Sequence, residues 1–289
     1  MSQPESVSLQ QRVAAMDSEE ITVLLTQVHQ LTGVDFRDYS LPMIKRRIRH
    51  LLELRKFRNI AELSRQIEQD EGILKQLVAI FCVTVSAMYR DPDVFLSIRK
   101  NILPILRAKP FIRIWHAGCA TGEEVYSFAI MLEQEGFQDR YRSYATDLDW
   151  TALEQAKSGY FPMRTMQSNT KNYLKSGGIA PFSEYYDSYE KTILLKEYIK
   201  RNVVFGRHNL VSDPAFNQFD LIFCRNVLIY FNNTLQERVL NKLRDSLLDG
   251  GMLILGSREP ISFAYRNLNF EVVSREFQIF KKRNWEVTV

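Results

Sequence analysis

From residue 110 onward, short apolar runs alternate with helix-patterned stretches, whereas nothing before residue 83 reads as a strand. Phe111-Ile-Arg-Ile-Trp115 alternates as a strand, His116-Ala-Gly-Cys-Ala-Thr-Gly122 is a glycine-bearing turn, and Glu123 to Glu135 is helical. A second strand, Tyr141 to Thr146, ends at Asp147 and is followed by a helix over Asp149 to Lys157. Further strands fit Val203 to Phe205, Leu221 to Cys224 and Met252 to Leu255. Neighbouring parallel strands need a crossover, so this rhythm predicts a doubly wound α/β sheet with helices on both faces. A helix is expected over Leu235 to Leu248, stopped by Asp249-Gly250-Gly251 as a C-cap. Phe270 to Val273 and Phe277 to Phe280 are close enough to pair as a hairpin. Residues 163–200, with Ser176-Gly-Gly178 and many tyrosines, break the rhythm and read as an insertion.

The earlier residues are of another kind. Residues 18–31, 41–55 and 60–82 carry apolar positions at helical spacing and predict a small helical bundle. Charge is uneven within it. Residues 1–40 hold six acids and two bases, while 41–60 hold seven bases and the single acid Glu53. Ile44, Ile48, Leu51 and Leu52 would pack one side of that second helix and leave a basic stripe on the other, including Arg46, Arg47 and Arg49. Such a stripe is either a solvated face or a dock for something acidic. Nucleic acid would usually bring interleaved aromatics, which are absent here, and an acidic protein partner explains the stripe equally well.

Other classes fall away on composition. Apolar residues are 45% and charged residues 25% of the 289, as in soluble globular chains. The longest apolar run, Leu77 to Val83, is too short for a membrane span, and Met1-Ser-Gln-Pro-Glu-Ser6 lacks the pattern of a secretion signal. Cys82, Cys119 and Cys224 lie far apart, as do the four histidines, so neither a disulfide framework nor a metal motif is expected. A cytoplasmic protein is the expectation.

In open α/β sheets, ligands sit beyond the carboxyl ends of the strands. Gly118 and Gly122 let the first turn approach a ligand closely, but Glu123-Glu124 follows at once and would repel a pyrophosphate. The turn suits a cationic or zwitterionic ligand better than a dinucleotide. Asp147 can accept from both hydroxyls of a ribose, or it is a helix cap. Asn209 could face an adenine edge, or close an Asx turn. The strand Phe219 to Cys224 delivers Arg225 and Asn226 to its end, with Tyr230 just beyond. A ribose-binding acid without a pyrophosphate loop points to S-adenosylmethionine, whose sulfonium suits the paired glutamates.

Four segments carry a specific resemblance. They are Trp115-His-Ala-Gly-Cys-Ala-Thr-Gly-Glu-Glu-Val-Tyr-Ser127, Ala145-Thr-Asp-Leu-Asp149, His208-Asn-Leu210 and Phe223-Cys-Arg-Asn-Val-Leu-Ile-Tyr-Phe231. With them the chain resembles, over about residues 20–281, the chemotaxis receptor methyltransferases of CheR type, which esterify glutamate side chains with S-adenosylmethionine. The resemblance implies an N-terminal helical, substrate-facing domain (1–90) and a Rossmann-like methyltransferase domain (91–289). It also implies a small antiparallel β-subdomain inserted at 163–200, where some members hold a receptor tether. Thr84, Ser86, Arg90, Ala117, Gly118, Glu123, Asp147, Asn209, Leu210, Arg225 and Asn226 are then the cofactor-binding set. Arg90 and Tyr230 are implied as catalytic, Arg90 holding the substrate carboxylate and Tyr230 lying near the methyl. Arg46, Arg47 and Arg49 are implied to dock the acidic helical bundle of a receptor, without nucleic acid, metal or membrane insertion, and with the protein a monomer.

The chain departs from the family pattern in two places. Thr84-Val-Ser-Ala-Met-Tyr-Arg90 stands for an Asn-x-Thr-x-Phe-Phe-Arg segment, and Gly256-Ser-Arg-Glu259 for Gly-His-Ser-Glu. Alternatives are therefore a non-catalytic S-adenosylmethionine-binding regulatory module, or methylation of another acidic protein. Because a glutamate acceptor is already ionised near neutrality, the expected chemistry needs positioning and no general base.

Overall fold

The computed structural model describes residues 17–259 and 268–283 and divides into two compact units. One comprises the residues up to Val83 together with Tyr230–Leu235; the other comprises Thr84–Ile229 and everything from Gln236 on.

The first unit is built from α1 (Ser18–Thr32), α2 (Leu41–Arg55), α3 (Ile60–Gln69) and α4 (Glu71–Phe81). Asp17 caps α1 by accepting from the Glu19 amide, and Gly33 ends it in the left-handed region at φ 72°. The periodicity predicts one helix over 60–82, but there are two. Asp70 turns extended and its carboxylate accepts from the Gly72 and Ile73 amides, starting α4 afresh. The core joins Leu24, Val28, Phe36, Ile44, Ile48, Leu51, Leu63, Leu77 and Phe81, all buried. The returning segment adds Phe231, whose ring meets Tyr39 edge-on at 4.9 Å, while the Ser40 amide donates to the Tyr230 carbonyl at 2.7 Å.

The second unit opens with α5 (Pro92–Ser97) and α6 (Leu103–Arg107) and continues as β1 (Ile112–Ala117), α7 (Glu123–Gln134), β2 (Tyr141–Asp147) and α8 (Trp150–Ser158). Then come β3 (Tyr160–Pro162), α9 (Met166–Lys175), β4 (Tyr186–Ser188), β5 (Thr192–Leu195), α10 (Glu197–Lys200), β6 (Val203–Arg207) and β7 (Phe219–Cys224). The helix α11 (Asn233–Asp245), β8 (Leu247–Leu255), β9 (Phe270–Ser274) and β10 (Ile279–Lys282) complete the order. The main sheet runs β6-β2-β1-β7-β8-β10-β9, parallel through β8 and closed by the antiparallel β9–β10 hairpin. The strand order reverses direction at β1, the topological switch point where doubly wound sheets bind ligands. Every residue of β7 is buried, including Asp220, whose carboxylate accepts from Lys109 and from the Arg113 amide. The insertion forms a three-stranded antiparallel sheet, β3-β5-β4, whose first strand begins at Tyr160. Tyr173 of α9 stacks on Phe182 at 4.7 Å and donates from its hydroxyl to the Ala180 carbonyl.

One expectation is corrected. The helix over 235–248 stops at Asp245, and Asp249-Gly250-Gly251 is no C-cap but an irregularity inside β8. The Ser246 carbonyl is taken by the Phe219 amide, so the chain turns extended at Leu247 although the apolar spacing could have continued a helix. Phe219 then pairs with Leu247 and Leu221 with Met252, and the extra residues of β8 bulge around Gly250, at φ 73°. A Cβ on Gly251 would stand 2.8 Å from the Leu248 carbonyl oxygen and 3.0 Å from that of Phe219. Backbone cannot yield as a flexible side chain would, so Gly251→Ala should destabilise the fold by roughly 1–3 kcal/mol. A lowered urea midpoint at unchanged slope would show it.

Candidate active site

β1 ends in a turn fastened to β2: the Gly118 and Cys119 amides both donate to the Thr146 carbonyl, at 2.8 and 2.9 Å. Gly118 sits at φ 77°, and a Cβ there would come within 2.5 Å of a Val227 methyl, so no larger residue fits. Ala117, at the end of β1, is buried. Asp147, at the end of β2, accepts from the Ala120 amide at 2.8 Å and from the Asp149 amide at 3.0 Å. Asp149, not Asp147, caps α8. Glu123, the first residue of α7, accepts from the Thr121 hydroxyl at 2.6 Å and from Ser86. Burial pushes both Asp147 and Glu123 above the usual carboxylate range, and among the described residues neither has a cationic partner.

The neighbouring Glu124 behaves differently, which corrects the reading of a glutamate pair facing one ligand. Its burial would raise its pKa, but hydrogen bonding from His116 and the charge of Arg225 bring it below the usual range. Arg225 is buried, its side chain 2% exposed. Its Nη1 donates to Glu124 Oε2 at 3.0 Å, and its Nη2 to Asp91 Oδ2 at 2.7 Å and to the Arg90 carbonyl at 3.2 Å. His116 lies 3.4 Å from the other Glu124 oxygen and stacks on Phe223. Asn226 holds φ 62° beside Gly256, on which a Cβ would crowd the Asn226 amide at 2.9 Å.

Thr84 and Ser86 are half-buried in the segment before Arg90. Arg90 itself is half-buried; its guanidinium makes one long contact, to the Val85 carbonyl at 3.4 Å, and has no carboxylate partner among the described residues. Beyond β6, Asn209 closes an Asx turn, its side-chain oxygen accepting from the Val211 and Ser212 amides. The Leu210 carbonyl accepts from Lys242 at 2.8 Å. Tyr230 belongs to the helical unit, together with Arg46, Arg47 and Arg49. Arg46 is exposed; Arg47 and Arg49 are half-buried, and none of the three has an acidic partner among the described residues. Four residues outside the expected set shape the site: Asp91, Glu124, Ser127 and Glu259. Each lies within or beside a segment that carried the resemblance or departed from it, but adjacency alone could not assign a role.

Residues 19–81 match the all-alpha domain of the CheR methyltransferases, and residues 84–279 match their SAM-binding domain. The chain belongs to the CheR methyltransferase family. It is 40% identical over 263 residues to the "Putative methyltransferase Cher3" of Pseudomonas putida, covering 91% of this chain and 96% of that one. It is 33% identical to the chemotaxis protein methyltransferase of Listeria innocua, over 79% of this chain and 85% of that one. With that of Borreliella burgdorferi the identity is 30%, over 84% of this chain and 88% of the relative.

The site fits the S-adenosylmethionine of this CheR domain. Gly118 is required where the turn packs against Val227, and two half-buried acids, Glu123 and Asp147, stand around that turn without a cationic partner among the described residues. A sulfonium, an ammonium and ribose hydroxyls are the groups such acids would satisfy. Glu259 supports the same edge of the site. It is buried, accepts from the Val227 amide at 3.0 Å and is approached by the amides of Asn226, Leu228 and Ile229. Burial nonetheless lifts it from 4.5 to about 7. The folded state therefore holds this proton more tightly than the unfolded chain. Its stabilising contribution is complete below pH 4.5 and lost as pH rises through 7, by up to about 3 kcal/mol at 1.36 kcal/mol per unit. Glu259→Gln should flatten the fall of stability across that window, as read by urea titrations at stepped pH.

Proposed function

We propose that this CheR methyltransferase esterifies glutamate side chains on chemoreceptors, the methyl-accepting proteins of chemotaxis, and does so in the cytoplasm. The observation that carries this reading is the Arg90 guanidinium, free of any carboxylate partner among the described residues and four positions after Ser86, whose hydroxyl reaches Glu123. The chemotaxis methyltransferases among the relatives support the class of substrate.

Bound S-adenosylmethionine supplies an electrophilic methyl carbon whose bonding pair returns to sulfur on transfer. The chain's own residues need only bind and orient. Asp147 and Glu123 would hold the cofactor's polar and cationic parts. Arg90 pairs with the acceptor carboxylate and turns one oxygen toward the methyl. An ionised carboxylate is already a nucleophile at neutral pH, so no residue has to remove a proton. The rate then depends on holding acceptor and donor about 3–3.5 Å apart and in line. Tyr230 is assigned to orient the reacting groups.

Transfer of a radiolabelled methyl group to a receptor cytoplasmic fragment tests the reaction, and base lability of the label tests for an ester. Label stable to base would refute esterification; cofactor binding without any transfer would mark a regulatory module instead. Because a planar fork matches a carboxylate and a point charge does not, Arg90→Lys should lower kcat/KM for the receptor by ten- to a hundredfold. Near-normal turnover in Arg90→Ala would refute the role given to Arg90.

The basic face of α2 has a place in the same reading. Arg46, Arg47 and Arg49 would meet the acidic, glutamate-bearing helices of the receptor and raise its encounter rate. Reversing all three charges should raise KM for the receptor severalfold, more at low salt than at high, with kcat little changed. A KM that does not move at physiological salt would remove α2 from the interface.

A further inference from the structure

Arg90 sits in a backbone conformation that its own residues do not favour. Tyr89 and Asp91, on either side, hold φ 52° and 57°, in the left-handed region. Such residues are strained and persist only where the surroundings dictate them. The surroundings are visible. The Tyr89 amide donates to the Ser127 hydroxyl at 2.8 Å, and that hydroxyl donates to the Glu123 carbonyl at 2.6 Å. The Met88 carbonyl accepts from Asn172 at 3.2 Å. The Tyr89 ring is fully buried, edge-on to Phe95, Tyr173 and Phe182.

The strongest hold lies on the other side of Arg90. Asp91 occupies the N-cap position before α5, where an aspartate ordinarily accepts from the helix amides. It makes no such bond; its carboxylate is turned to Arg225 Nη2, which also holds the Arg90 carbonyl. On its far side, Arg225 is fixed by Glu124, and Glu124 is within reach of His116 of β1. A line of polar and charged groups thus runs from His116 on the central strand, through Glu124 and Arg225, to the peptide unit of Arg90.

We propose that Asp91 and Arg225 are a positioning pair. They set the backbone of Arg90, and through it the place of the guanidinium, without touching donor or acceptor. This also gives Arg225 a role other than cofactor contact, since its Nη atoms are spent on the protein and only Nε lacks an acceptor. The inference rests on Arg90 as the acceptor-binding group.

Asp91→Asn is the informative variant. Asparagine tolerates the left-handed region as aspartate does, and Asp91 is 41% exposed, so the substitution removes charge and little else. Losing this charge-assisted bond should lower kcat/KM for the receptor fragment about tenfold. The Kd for S-adenosylhomocysteine, read by calorimetry, should stay within about twofold, and amide exchange at residues 88–91 should quicken. In an Arg90→Lys background, Asp91→Asn should add less than about a further twofold, because the two changes then act on one step. Arg225→Lys, unable to span Asp91, Glu124 and the Arg90 carbonyl, should repeat the loss if it folds. Unchanged kcat/KM and unchanged exchange in Asp91→Asn would overturn the proposal. So would a tenfold loss repeated in full in the Arg90→Lys background, which would mean that Asp91 acts by another route. Normal turnover in Arg90→Ala would sink the acceptor-binding reading instead, and exchange at 88–91 would still decide whether the pair fixes the loop.

Discussion

A guanidinium taken out of water costs several kcal/mol unless its donors are met, and Arg225, at the carboxyl end of β7, is almost wholly buried. The molecule meets that cost with Glu124, Asp91 and the Arg90 carbonyl. Much of the site follows from this. Glu124 cannot face a ligand, because it is committed to Arg225 and lies within reach of His116. Asp91 cannot cap α5. The peptide of Arg90 is held in a turn with left-handed residues on both sides. A buried pair of this kind is weak evidence for net stability, but removing one member leaves a stranded charge, so the arrangement is rigid.

The same edge of the sheet contains acids in the opposite condition. Glu123 and Asp147 are half-buried with hydroxyl and amide donors but no counter-ion among the described residues, and desolvation raises both. A fold under selection for stability alone would pair or expose them. On the proposed reading their cost is recovered by a cationic, hydroxyl-bearing ligand. The contrast between Glu124 and Glu123, neighbours in sequence, divides scaffold from binding group more sharply than residue type does.

Some of this was legible in the amino-acid order and some was not. The β1 and β2 exits could be read because a strand delivers its next residue to a known edge, and Gly118 and Asp147 stand there. The parallel sheet could be read because strands and helices alternate from residue 110 onward. Arg225 could be placed at a strand exit but not oriented. What turns it inward are Glu124 and Asp91, 101 and 134 positions away in the chain. Asn209 had two readings, and its side-chain oxygen closes an Asx turn. The end of α11 was misread because Leu247 and Leu248 continue a helical spacing, while competition for the Ser246 carbonyl came from Phe219, far back in the chain. Local pattern fixes which elements form; partners distant in sequence decide where they stop and which way a polar side chain turns.

On the proposed reading the reaction needs no proton transfer, which leaves the enzyme one principal resource, geometry. An ionised carboxylate and an activated methyl react when held in line, and a displacement of about 1 Å can cost a hundredfold. That demand accounts for features that stability alone would not favour: two left-handed residues beside Arg90, an aspartate diverted from a helix cap, and an arginine buried where an apolar side chain would pack at lower cost. Each spends folding free energy to remove a degree of freedom from one guanidinium. The basic face of α2 meets a different need. Its arginines carry charge without acidic partners among the described residues, which suits diffusional capture, where long-range attraction matters and exact placement does not. Arg225, held by two carboxylates, and Arg46, exposed and without an acidic partner among the described residues, are thus two uses of the same side chain, separated by burial.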